Sequence, residues 1–136
     1  TTTQTNPVAN VYHSMSLNTT DISNGVSISG STDPYNTYIK TENAGVYDIQ
    51  FSVQIEKTSP GGTSTAYIWL RKNGEDSIAD IAGTARYITI PIRYDEINGR
   101  NTVSFNYFVE AIANDYFQLV WATTNSETIG KRIEIL

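Results

Sequence analysis

His13 is the single histidine of the chain, so a Ser-His-Asp triad or a His-ligated metal site would have to be assembled around it. Its neighbour Ser14 belongs to no motif that positions a nucleophile, and His13 reads as a surface or packed histidine. Asp95 and Glu96 form a carboxylate pair, but glycoside hydrolysis sets its two carboxyls across a cleft of about 5 to 9 Å. Adjacent residues on a strand point to opposite faces, so this pair does not serve as acid and base together. Glu75, Asp76 and Asp80 follow the Asn73-Gly74 turn and carry the oxygen ligands that calcium takes. Their spacing matches no calcium loop, and a solvated charged turn is the plainer reading. Without a cysteine there is no thiolate nucleophile, no disulfide and no zinc-thiolate site. The expectation is a protein that is not an enzyme and has no metal or cofactor.

Aromatic residues are the more informative class, because 9 Tyr and 2 Trp exceed what one small core needs. Exposed tyrosines suit sugar or protein contacts, while the alternative is that they cap the ends of a sandwich and fill an interface between copies. The formal net charge of -5 and a sequence pI near 4.7 work against a role based on phosphate neutralisation. Nucleic acid and anionic membrane are therefore excluded as expected partners. No apolar run approaches the ~20 residues of a spanning helix, and Thr1 to Asn10 carries neither charge nor a signal-type apolar block. The chain reads as soluble, complete and unprocessed, apart from an initiator Met expected to be removed ahead of Thr1.

The elements that must position these side chains are strands. A length of 136 residues suits one domain. Only 17% of residues are charged, and Thr, Ser and Asn abound, which favours strands and turns over solvent-facing helices. Residues 1–10 are expected as a flexible arm and 11–136 as the single domain. From Tyr47 to Ile55 every odd position is apolar and from Asp48 to Glu56 every even one polar, which is a strand with one buried face. Thr65 to Arg71 is apolar on both faces, and Pro91 limits the stretch from Arg86 to Arg93 to an edge or a strand end. Phe105, Tyr107, Val109 and Ala111 alternate with polar residues except for Phe108, which breaks the polar side. The expected core is Tyr47, Ile49, Phe51, Val53, Phe105, Tyr107, Val109, Phe117, Leu119 and Trp121. On that reading Phe51→Ala costs on the order of 3 to 5 kcal/mol. Seven or eight strands between turn signals, without an amphipathic helix, imply an all-β sandwich or barrel.

Gly45-Val46-Tyr47 opening a long alternating strand resembles the Gly-x-Tyr start of the third main strand in the jelly rolls of tumour necrosis factor and the complement-component-one-q globular head. Ala66 to Lys72-Asn73-Gly74 is similar to the next strand of that family and its Lys-Asn-Gly turn. Asn114-Asp115 before Phe117, Leu119 and Trp121 resembles its Gly-Asp turn into the penultimate strand, with Asn in place of Gly. The similarity spans Ala44 to Leu136. It implies a jelly-roll β-sandwich of about eight to ten strands that assembles as a homotrimer. The sheet holding the first, third, sixth and last strands would face the three-fold axis, with Gln50, Asn106 and Phe108 pointing toward it.

Fold alone does not fix function. The Thr/Asn-rich, cysteine-free composition looks more like the versions of this fold on bacteriophage particles than like a cytokine. The expectation is a trimeric capsid decoration (cement) protein, made in the host cytoplasm and placed on the virion surface. Its partner would be the major capsid protein or another virion protein. Attachment would fall to the uncharged arm, Thr1, Thr2, Thr3, Gln4, Thr5, Asn6, Pro7 and Val8, ordered only against that partner. A frayed terminus without a role is the alternative for the arm. For the whole protein the alternative is a receptor-binding fibre head that recognises a cell-surface glycan or protein.

Overall fold

The computed structural model describes residues 3–4, 8–17, 19–31, 36–58, 60–124 and 133–135. Ten strands follow one another along them: β1 (Thr3–Gln4), β2 (His13–Ser14), β3 (Val26–Ser31), β4 (Asn36–Thr41), β5 (Gly45–Lys57), β6 (Ser64–Lys72), β7 (Arg86–Ile90), β8 (Gly99–Ala111), β9 (Tyr116–Thr123) and β10 (Ile133–Ile135). Among the described residues the one helical element is a 3₁₀ turn at Ser77–Ala79, and no helix is long and apolar enough to cross a membrane. The strands form two antiparallel sheets, one ordered β1-β10-β5-β8 and the other β3-β4-β9-β6-β7, with β2 also pairing to β9. The chain is all-β, and the arrangement is compatible with a sandwich.

Alternation in the sequence becomes facing in the first sheet. β5 and β8 pair over their whole length, from Gly45↔Ala111 to Lys57↔Gly99, so their odd-numbered residues share one face and their even-numbered residues the other. The odd face is the inner one. Val53 and Ile55 are fully buried there and join Met15, Ala66, Ile68, Ile88, Ile90 and Trp121 in the apolar core. β7 ends at Ile90, immediately before Pro91, and is an edge strand, which suits a residue without a ladder donor.

The core is displaced from its expected position. Of the residues expected in it, Val53, Phe117 and Trp121 are fully buried, whereas Tyr47, Ile49, Phe51, Phe105, Tyr107, Val109 and Leu119 are half-buried. Length explains the displacement. β5 and β8 have 13 residues each, about 43 Å of strand, whereas β6 has 9 and β9 has 8 and they span only about 26 to 30 Å. The long pair therefore outruns the strands that cover it, and the core gathers around Val53 and Ile55. Nearer Gly45 a cleft of about 200 Å³ remains, lined by Val26, Ile39, Tyr47, Ile49 and Phe117.

Within residues 1–10, Thr3 and Gln4 form a strand of the first sheet. Gln4 is 2% exposed, and Thr3 and Gln4 pair with Glu134 and Ile133 as the edge of the first sheet. The Gln4 side-chain amide donates to the Ser16 carbonyl and its oxygen accepts from the Ser16 N–H, both at 2.8 Å. A side chain thus completes the hydrogen bonding of a passing backbone, which fixes Gln4 within the fold itself. Further on, the Asn10 N–H donates to the Thr123 carbonyl at 2.7 Å and that of Met15 to Leu119 at 2.7 Å. Thr1, Thr2, Thr5, Asn6 and Pro7 lie outside the described residues.

At the Gly45 end the β8–β9 turn is closed by Asp115. Asn114 sits at φ 72°, a left-handed conformation that Gly or Asn adopts most readily. The Asp115 carboxylate then accepts from Lys72 Nζ at 2.8 Å, Asn73 Nδ2 at 2.6 Å and the Ile112 N–H at 2.9 Å. Lys72, Asn73 and the backbone donor together hold its pKa down at about 2. Because the folded value lies below the unfolded one, the stabilisation is complete above about pH 4 and is lost as pH falls through about 2. Asp115→Ala should cost about 2 to 4 kcal/mol at neutral pH and remove that part of the acid sensitivity. Urea denaturation at pH 7 and pH 3 checks this, and an unchanged pH dependence would contradict it.

Candidate functional site

The even-numbered side chains of β5 and β8 form the outer face of the first sheet, and the residues expected at an interface between copies lie on it. Gln50 is directly opposite Asn106, and Phe108 is directly opposite Asp48. Gln50, Asn106 and Phe108 are all exposed, Phe108 at 64%. Gln50 Nε2 donates to Asp48 Oδ2 at 2.6 Å, which orients the amide along the strand. A shallow depression of about 700 Å³ runs over Gln50, Ser52, Ser104 and Asn106.

Two apolar neighbours of Phe108 escaped the sequence reading. Val46 is opposite Glu110 and so diagonal to Phe108, and Ile112 continues the same parity just beyond β8. Both are 67% exposed, and with Phe108 they make an apolar patch at one end of a polar face. A second depression of about 520 Å³ beside the patch is lined by Val46, Glu110 and Ile112, with the Lys72–Asp115 ion pair at its rim. Parity was the available signal: Val46 and Ile112, like Phe108, are apolar on the side of the strand that carries Asp48, Gln50, Asn106 and Glu110.

The residues that suggested chemistry are spent on structure. His13 pairs with Trp121 through the backbone, its ring tilted against the indole at 6.4 Å between centroids, and burial lowers its pKa. The three acidic residues after Asn73-Gly74 diverge. Asp80 accepts from Trp69 Nε1 at 2.8 Å and Arg71 Nε at 2.7 Å, Asp76 caps the 3₁₀ turn through the Ile78 N–H, and Glu75 offers its backbone oxygen to Arg71 Nη1 at 2.6 Å. Among the described residues no group of three or more His, Asp or Glu is placed to hold a metal ion.

Asp95 and Glu96 are on a turn and not on a strand, which corrects the geometry assumed for them. Tyr94 and Ile97 exchange both backbone hydrogen bonds, at 3.0 and 2.8 Å, around the two acidic residues at φ 47° and 65°. This two-residue hairpin turn with left-handed conformations at both centres usually takes Asn-Gly or Asp-Gly. It joins β7 to β8 and displays Tyr94 and Ile97, 74% and 73% exposed. No protein-family model and no curated protein matches the sequence.

Proposed function

We propose that this chain is a non-enzymatic structural protein of a virus particle, a trimeric jelly roll that decorates a capsid and cements it. The observation that carries the reading is the exposed outer face of β5 and β8, where Gln50, Asn106 and Phe108 come together beside Val46 and Ile112. A sheet face that mixes amides with an apolar patch suits a closed association of identical copies, in which the patch is removed from water.

The strand order supports the jelly-roll part. If β2 and β3 are additions to eight main strands, the first, third, sixth and last share one sheet, as the resemblance implies. The alternative of a receptor-binding head draws on the Tyr67–Tyr87 pair, stacked edge-to-face at 5.0 Å on the other sheet with Tyr87 exposed, a surface suited to a sugar ring.

Sedimentation at micromolar concentration tests the trimer, and a monomer would overturn it. Phe108→Lys gives a sharper check, because the new ammonium pairs with Asp48 across the strands in the monomer but would be buried in the interface. The variant should weaken trimer association by roughly a hundredfold or more without losing its fold. Copy number in purified particles separates the two roles: hundreds for a decoration protein, a small multiple of three for a fibre head.

A further inference from the structure

The hairpin of residues 91–98 is built more rigidly than a connection between two strands requires. Arg93 Nη1 donates to the Thr58 carbonyl at 2.9 Å, and Asn98 Nδ2 donates to Glu56, which also pairs with Arg100 at 2.6 Å. At its base Gly99 lies so close that a Cβ there would stand 2.0 Å from the Pro91 carbonyl oxygen. At its apex Asp95 and Glu96 both take left-handed backbone that Gly would adopt without strain. The tip spends nothing on its own core. Tyr94 and Ile97 are a directly opposed pair, so their side chains stand together on one face, both well exposed. The carboxylates between them have no ion pair among the described residues.

Strain held in place by surrounding bonds is characteristic of functional segments, and a rigid exposed aromatic loses little entropy on binding. Position adds to this. Lys57, Ser64, Ile90 and Gly99 mark one end of the sandwich, and Asn10 reaches the same end through Thr123, which pairs with Ala66. The hairpin therefore projects from the end to which residues 8–10 also lead, while Gln4 is tied down inside the fold.

We propose that this hairpin is the attachment element: a plug that seats Tyr94 and Ile97 in an apolar socket of a capsid protein, with Lys or Arg side chains on the rim to meet Asp95 and Glu96. The apolar pair supplies the buried anchor, and the acidic apex supplies charge complementarity to a basic rim. This inference rests on the decoration reading and names the part of the chain that would perform it.

The test uses the whole chain and particles of the encoding virus assembled without it, with occupancy titrated against protein concentration at low and high salt. Tyr94→Ser/Ile97→Ser should weaken binding at least tenfold while leaving melting temperature and association state unchanged, because neither side chain is buried. Asp95→Asn/Glu96→Gly restores the preferred turn dipeptide, so it should melt higher than the wild type and yet bind more weakly, with a flatter salt dependence. Wild-type protein that fails to bind would overturn both this inference and the decoration reading. Wild-type and serine-variant proteins that bind equally well would overturn the hairpin's role alone, leaving the decoration reading standing.

Discussion

Trp121→Ala should lower the unfolding free energy by about 3 to 5 kcal/mol, and Phe51→Ala by roughly half as much, about 1 to 3 kcal/mol. Trp121 lies in the core between the two sheets and is 1% exposed, in a cluster with Met15, Ile55, Ile68 and Ile90, so its removal opens a cavity that surrounding backbone cannot fill. Phe51 faces the same interior but is half-buried, and its main partner is Phe105 on the neighbouring strand, edge-on at 4.2 Å between centroids. The Arg86 guanidinium covers Phe105 from β7 at 4.8 Å, so water already reaches part of this pair. Denaturant unfolding of both variants at one protein concentration makes the comparison, since association would add to apparent stability. A loss for Phe51→Ala as large as that for Trp121→Ala would place the core at the aromatic pair, where the sequence pattern alone had put it.

That comparison marks where sequence legibility ended. Period-two alternation fixed which side of β5 and β8 is inner, because a strand's facing is a local property of its own residues. How deeply each inner residue is buried depends on the length of the strands in the opposite sheet, which no local pattern contains. Tyr47 and Ile55 look alike in the sequence, yet Ile55 joins the core cluster with residues of β6, β7 and β9 while Tyr47 is half-buried beside the cleft. Gln4 illustrates a different limit: in a stretch of Thr, Gln and Asn nothing shows that one amide will mimic a strand for Ser16 from 12 positions away. Asp95-Glu96 carried only half of a turn signal, since Asp suits the first centre but Glu stands where Gly is usual, and the bonds that hold the flanking Arg93 and Asn98 go to Thr58 and Glu56 on other elements. The outer face of β5 and β8 was legible by parity. Gln50, Asn106 and Phe108 have the same parity across an antiparallel pair, and the full β5–β8 ladder puts them on one surface.

Arg71 is the least expected of the buried residues, and Asp80→Ala should expose its dependence on a partner by costing about 3 to 5 kcal/mol. The Arg71 side chain is 2% exposed on the outer side of β6, whereas that of Asp80 is 31% exposed. Among the described residues its guanidinium meets the Asp80 carboxylate at 2.7 Å, the Glu75 carbonyl at 2.6 Å and the ring of Tyr12 at 4.7 Å. Only the first carries a full negative charge at the site, and without it a desolvated cation is left with a backbone oxygen and an aromatic face. Trp69 Nε1 loses its acceptor in the same substitution. Asp80→Asn keeps an oxygen for both donors and removes only the charge, so it should cost about half as much. Arg71→Met combined with Asp80→Ala removes the buried cation itself and should recover most of the stability lost by Asp80→Ala alone, at the expense of the Tyr12 stacking. Because Tyr12 precedes β2, hydrogen exchange at the Met15 amide, which bonds to Leu119, should quicken in Asp80→Ala before the sheet as a whole opens. A loss below about 1 kcal/mol for Asp80→Ala, or a double variant less stable than either single one, would mean that water solvates Arg71 and that the cluster does not hold the N-terminal segment on the sheet.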